Sequence, residues 1–198
     1  MTGAGEALLV IDMQIGFDDP RWGRRNNPNA EAQARRLLDH WRNSRRQVVI
    51  VRHDSTDSAS PLSVARPGNA LKPGFEPRNG DWLVPKRVNS AFIGTDLEAR
   101  LRSAGIRALT LVGLTTDQCV STTARMASNL GFATTVAEDA CACFAQNATD
   151  GRKVTAETIH LAHITTLHTE FARVVRVHQL LYLNRTDRNS TCATFACR

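Results

Sequence analysis

Several large functional classes are excluded by what this chain does not contain. Aromatic residues make up only 6% of it, with a single tyrosine. The formal charge is +6, yet the basic residues form no block. Arg24-Arg25, Arg35-Arg36, Arg45-Arg46, Lys86-Arg87, Arg173 and Arg176 are scattered along the sequence. A nucleic-acid surface calls for a basic stripe interleaved with stacking aromatics, and none is evident. The charge reads as a solvated basic surface, and no nucleic-acid partner is expected. Long apolar runs are also missing. The first, Ala7 to Ile11, is five residues, far short of the ~20 that span a bilayer. No membrane partner is expected. The first residues carry no positive n-region, so no export signal is read. The five cysteines form no C-x-x-C pair, which removes the usual zinc and dithiol motifs. Reduced thiols and a cytoplasmic location are the expectation.

What is present is an alternation. The chain has 198 residues, 42% of them apolar, which suits one domain with a sizeable core. That domain is expected to cover 1–183, with the polar segment 184–198 as a frayed tail. Apolar runs fall at 7–11, 48–51, 82–84, 108–112, 132–136 and 174–177. They are continuous rather than alternating, which suits strands buried on both faces. Helical patterns lie between them, at 30–46, 95–104, 117–130 and 155–171. Strands alternating with helices predict an α/β fold with a parallel sheet covered on both sides. The stretch 53–81 breaks the rhythm with Pro61, Pro67, Pro73 and Pro77 and reads as a long excursion.

In such sheets ligands bind at the carboxyl ends of strands. Three reactive residues fall there. Asp12 follows the first apolar run, Lys86 follows the third, and Cys119 opens the helix after the fourth. A thiol, a carboxylate and an ammonium at one rim could make an activated nucleophile. Asp12 would accept the thiol proton and Lys86 would hold Asp12 ionised. The helix start would lower the thiol pKa, with Thr116 as its N-cap. Taken singly, each has a plainer reading: Asp12 as a turn residue, Lys86 as a solvated strand end, Cys119 as a small hydrophobe.

Three segments carry a resemblance. IDMQIGF (11–17), KRVNSAFIGTDLEARL (86–101) and GLTTDQCVSTTARMASNLGF (113–132) resemble the signature segments of the isochorismatase-like cysteine hydrolases. The likeness covers roughly residues 6–183. It implies a three-layer α/β/α fold with a mainly parallel, Rossmann-like sheet. It implies that Asp12, Lys86 and Cys119 form an Asp-Lys-Cys catalytic triad. It also implies a cis peptide at Leu114-Thr115 and an oxyanion hole made by the amides of Thr115 and Cys119. Relatives with this triad hydrolyse C–N bonds through a thioester acyl-enzyme. Nicotinamidases, N-carbamoylsarcosine amidases and ureidoacrylate amidohydrolases are examples. They commonly form dimers or tetramers, so a homo-dimer or homo-tetramer is expected, acting on a small-molecule substrate.

The sequence departs from two branches of that family. The isochorismatase branch, which cleaves a vinyl ether, lacks the nucleophilic cysteine that Cys119 supplies here. Nicotinamidases build a metal site from an Asp-x-His pair and further histidines after the second strand. Here that region reads Arg52-His53-Asp54-Ser55, and no second histidine follows before Cys119. No metal and no cofactor are therefore expected. His53 either contacts substrate or makes a strand-end hydrogen bond. Phe17, Trp22 and Phe144 either line an apolar pocket or belong to the core. His160, His163 and His168 share the last long helix without the i, i+4 spacing of a metal pair and read as surface or interface residues. Asp117 is expected to serve the helix start with its side chain turned away. The rival readings are a non-hydrolytic small-molecule binder on the same fold, and a thiol-redox protein pairing Cys119 with Cys141 or Cys143.

Overall fold

Leu8, Leu9, Val10 and Ile11 are all fully buried, so the strand that holds them must be covered on both faces. A computed structural model, describing residues 5–186, shows how. The chain runs β1 (Glu6–Ile11), α1 (Ala30–Asn43), β2 (Gln47–His53), β3 (Trp82–Lys86), α2 (Leu97–Ser103) and β4 (Ala108–Leu114). It continues through α3 (Ser121–Asn129), β5 (Ala133–Ala142), the short hairpin β6 (Gln146–Asn147) and β7 (Lys153–Val154), α4 (Ala156–Thr166), β8 (Arg173–Val175) and α5 (Val177–Thr186). Six strands form one sheet in the order β3-β2-β1-β4-β5-β8. Every pairing within it is parallel.

Alternate residues of β1 feed opposite cores. Ala7, Leu9 and Ile11 pack with Leu97 and Leu101 of α2, Ala124 and Ala127 of α3 and Ile164 of α4. Leu8 and Val10 pack with Leu37, Leu38 and Trp41 of α1 and with Val177 and Leu180 of α5. The result is the expected three-layer α/β/α sandwich. Each fully buried Leu, Val or Ile contributes roughly 1.5–3 kcal/mol. Pro85 sits in β3, at the sheet edge where a missing N–H is tolerated.

Element boundaries differ from the sequence reading in instructive places. Helix α1 stops at Asn43, because Arg45 takes a positive φ of 53°. Strand β5 is twice the expected length, running on to Ala142 past an irregularity opposite Leu111 and Gly113. Its later residues Glu138 and Asp139 break the apolar run that marked the strand. The pattern at 174–177 divides: β8 ends at Val175 and Val177 opens α5. That helix continues to Thr186, past the expected domain end at 183. The rest of the expected tail, 187–198, lies outside the described residues. The helix expected over 155–171 is α4 followed by a π-helical turn, Leu167–Phe171.

The chain winds outward from β1 to β3, then returns to place β4 on the other side of β1. The crevice where the winding reverses is the usual ligand position in such sheets. Gly113 makes the close approach there possible. It has φ 137°, and a Cβ on it would lie 2.0 Å from the Ile11 carbonyl oxygen. Gly113→Ala is expected to cost roughly 2 kcal/mol or more, since both the dihedral and the contact resist a side chain. Thermal unfolding of the variant beside the parent protein checks this.

Candidate active site

The site is assembled from the ends of three strands. Asp12 follows β1 directly, in the left-handed region at φ 51°. Its N–H still bonds the Val51 carbonyl of β2, at 3.0 Å. Lys86 ends β3, opposite His53 in register. Two inter-strand steps of about 4.8 Å separate β3 from β1, so only a long side chain spans the gap. The peptide between Leu114 and Thr115 is cis. A π-helical turn, Thr116–Val120, then carries Cys119 into α3. Such turns recur at functional sites.

These residues meet. Lys86 Nζ donates to Asp12 Oδ2 at 2.7 Å and to Cys119 Sγ at 3.3 Å. It also lies 3.0 Å from His53 Nδ1 and 3.2 Å from the Val88 carbonyl. Both partners of the Lys86–Asp12 ion pair are 0% exposed. Asp12 Oδ1 is buried with no hydrogen-bond partner among the described residues. One donor atom each from Asp12, His53 and Cys119 lies within 4.8 Å of the others. That trio could suit a metal by residue type. The Lys86 ammonium, however, already bonds all three, so the positive charge at that point is supplied by protein.

Electrostatics correct one expectation. Burial pushes the Cys119 thiol well above its ordinary value, Asp12 adds to the rise, and Lys86 opposes it without winning. The helix start does not produce a resting thiolate, because Cys119 is only 6% exposed and desolvation outweighs the dipole. Burial likewise raises Asp12 above the usual carboxylate range, against the pull of Lys86. The result is a thiol beside a carboxylate of increased basicity. His53 is pushed down by burial and by Lys86.

Cys119 opens onto a cleft of about 340 Å³. Phe17, Trp22, His53 and Phe144 all line it, as does Thr115. Phe17, Trp22 and Phe144 form one aromatic wall, with centroids 5.6, 5.8 and 6.1 Å apart. Trp22 is held by an Nε1–H bond to the Gly16 carbonyl, 2.8 Å. Asp117 does not turn away. It lines the cleft and accepts from Gln146 Nε2 at 2.6 Å. Thr116 does not cap the helix either, since no side chain caps that turn. Its hydroxyl instead meets His160 Nδ1 at 2.9 Å. His160 thus braces the turn that carries Cys119 rather than facing solvent, while His168 is exposed.

Two contributors, Asn89 and Gln14, went unnoticed in the sequence, and a third, Thr123, reads there only as a small packing residue of the helix. Asn89, three places after Lys86, accepts from the Cys119 thiol at 3.8 Å. Thr123 donates to the Asn89 carbonyl (3.4 Å) and accepts from the Ala91 N–H (3.1 Å), tying that segment to α3. Gln14, fully buried, bonds both the N–H and the carbonyl of His53, at 2.8 and 3.0 Å. Asn89 and Gln14 lie inside the quoted segments, so a polar residue two or three places from a triad member was the available signal.

Comparison with known proteins bears on the family and the fold. A family model described as the isochorismatase domain matches residues 6–179. The chain is 39% identical over 176 residues to an uncharacterized isochorismatase family protein of Bacillus subtilis, YrdC, covering 89% of this chain and 94% of that one. A solved putative hydrolase of the isochorismatase family from Chromobacterium violaceum superposes with TM-score 0.89 at 40% identity, covering 94% and 96% of the two chains. An N-carbamoylsarcosine amidase from Thermoplasma acidophilum superposes with TM-score 0.69 at 25% identity, covering 87% and 96%.

The buried ion pair sets a stability test. Lys86→Met removes the ammonium and leaves Asp12 buried and uncompensated, which typically costs about 3–5 kcal/mol. Denaturant titration at neutral pH should show that loss. It should shrink in acid, where Asp12 takes up a proton.

Proposed function

Because this chain belongs to the isochorismatase family, we propose that it is a cysteine hydrolase cleaving an amide, ureido or N-carbamoyl C–N bond of a small molecule. The observation that carries the reading is the Lys86 ammonium bonded to both Asp12 and Cys119, with Asp12 Oδ1 left unpaired. The cleft volume of about 340 Å³ falls in the range of small-molecule sites. The N-carbamoylsarcosine amidase among its structural relatives supports the bond type.

In this mechanism Asp12 Oδ1 takes the Cys119 proton as sulfur attacks the carbonyl carbon. The new C–S bond forms and the C=O pair moves to oxygen. The amides of Thr115 and Cys119 hold that oxyanion, and one such donor is worth ~100-fold or more in rate. The tetrahedral centre collapses, the C–N bond breaks, and Asp12 returns its proton to the leaving nitrogen. Asp12 then deprotonates water, which cleaves the thioester and restores the thiol. Lys86 keeps Asp12 anionic and steadies sulfur as charge develops. The raised thiol pKa fits this order, with proton transfer accompanying attack. The redox rival is weakened by burial, which pushes both Cys141 and Cys143 up to about 12. No helix among the described residues is long and apolar enough to cross a membrane.

Ammonia release from a panel of amides, ureido acids and N-carbamoyl compounds tests the reading. Wild type should turn over at least one class, and Cys119→Ala none, while keeping its fold by circular dichroism. Mass spectrometry of quenched wild type should show an acyl adduct on Cys119. Full activity in Cys119→Ala would overturn the assignment.

The pH profile gives a separate check. Asp12 must be ionised to act as base, and its pKa is raised from 3.8. The acid limb of kcat/KM should therefore lie above the ordinary carboxylate range, with activity lost as pH falls through it.

A further inference from the structure

The contact between Lys86 Nζ and His53 Nδ1, at 3.0 Å, fixes more than a distance. An ammonium carries three N–H donors and no lone pair. His53 Nδ1 must therefore accept, which leaves the single ring proton on Nε2. A flip of the ring would place a C–H against the ammonium and lose the bond. The backbone is equally constrained. Gln14 Oε1 accepts from the His53 N–H at 2.8 Å, and Gln14 and Asn69 donate to its carbonyl at 3.0 and 3.1 Å. His53 Nε2 has no acceptor among the described residues, and the ring lines the same cleft as Cys119.

We propose that His53 is a fixed hydrogen-bond donor whose Nε2–H selects substrates bearing a second acceptor beside the scissile C–N bond. The tautomer follows from geometry alone; the selection of substrates rests on the hydrolase reading. The ring stays neutral because burial and Lys86 both disfavour its charged form. Two carboxylates push the other way, Asp12 and Asp54. Asp12 is paired with Lys86, and Asp54 is engaged by Arg52 at 2.8 and 3.0 Å and by Asn69 at 3.1 Å. A site with a fixed donor discriminates strongly, since a substrate without an acceptor leaves that donor unpaired in the closed complex. Arg21 and Ser60 also line the cleft, and Arg21 is held by the Ala59 carbonyl at 2.9 Å and by Asp19 at 3.2 Å.

The role differs from those of the triad. His53 does not exchange a proton with the reacting atoms. Lys86 occupies its other nitrogen, so the ammonium serves the nucleophile on one side and sets a recognition group on the other. This gives a role to the histidine at the end of β2.

Two measurements separate the halves of the proposal. In protein labelled with ¹⁵N-histidine, with the His53 signals assigned by their loss in His53→Gln, Nε2 should be protonated and Nδ1 unprotonated at neutral pH. A proton on Nδ1, or a doubly protonated ring, would overturn the donor assignment without reference to turnover. The second compares butyramide, levulinamide and succinamate, which carry no second acceptor, a ketone and a carboxylate. His53→Phe should raise KM for the favoured acceptor-bearing amide by ~10-fold or more, with a smaller change in kcat and little effect on butyramide. His53→Gln, which keeps an amide donor, should recover part of that loss. An equal effect on all three amides would overturn the selection. Should wild type hydrolyse none of them, binding to Cys119→Ala is read instead at the His53 Nε2 signal. A shift with levulinamide or succinamate but not butyramide sustains the inference, and identical responses to all three sink it.

Discussion

One ammonium has four acceptors to serve with three protons. Lys86 Nζ faces a carboxylate, a sulfur, an imidazole nitrogen and a backbone carbonyl, all between 2.7 and 3.3 Å. The rest of the structure is arranged so that this can happen out of water. Strand β3 sits at the sheet edge and presents Lys86 at its end. Strand β2 supplies His53 directly opposite, and β1 supplies Asp12. The left-handed turn at Asp12 and the missing side chain at Gly113 let the ends of β1 and β4 come close enough to include Cys119. A buried charge in this position is tolerable only because each neighbour answers it. The surplus acceptor matters too. Whichever group holds a full negative charge draws the ammonium most strongly, so in the proposed mechanism the network would follow charge from carboxylate to sulfur.

Much of this was written in residue types and spacing. The buried strands announced themselves as unbroken apolar runs, and the parallel sheet followed from their alternation with helices. Asp12, Lys86 and Cys119 stood out because reactive side chains follow strand ends, and it was the resemblance of three segments that implied they form a triad. What could not be read was anything set by three-dimensional proximity across long separations. His160 meets Thr116 across 44 positions, and Gln14 meets His53 across 39. The late part of β5 was hidden because Glu138 and Asp139 interrupt its apolar pattern. Their carboxylates have work at the sheet edge, accepting from Arg176 Nε and from the Val177 N–H. The thiol pKa was misjudged for a related reason. Position at a helix start is visible in a sequence, but the extent of desolvation is not, and here desolvation dominates.

The site also shows a division between chemistry and recognition. Asp12, Lys86 and Cys119 arise from strand ends and a helix start, where packing against two cores fixes backbone positions. The aromatic wall of Phe17, Trp22 and Phe144, together with Ser60 and Leu62, comes from connecting segments. Binding residues often lie on connections held by a rigid scaffold, and the cleft here is lined in that way. His53 belongs to both parts. Its backbone is strand, its ring lines the cleft, and its hydrogen bonds run to the chemical centre.

Within the long excursion after β2, one side chain gathers the first half of the loop. The Asn69 side-chain amide meets the His53 carbonyl, Asp54 Oδ1 and the Leu62 carbonyl. Between Asp54 and Asn69 most side chains are exposed, apart from the buried segment Pro61-Leu62-Ser63. Such a loop is free to drift in sequence while its clasp persists. Over generations the residues between can be exchanged, lengthened or shortened without disturbing the strand ends beneath. The clasp therefore leaves the cover of the cleft open to change while the strand ends beneath keep their positions.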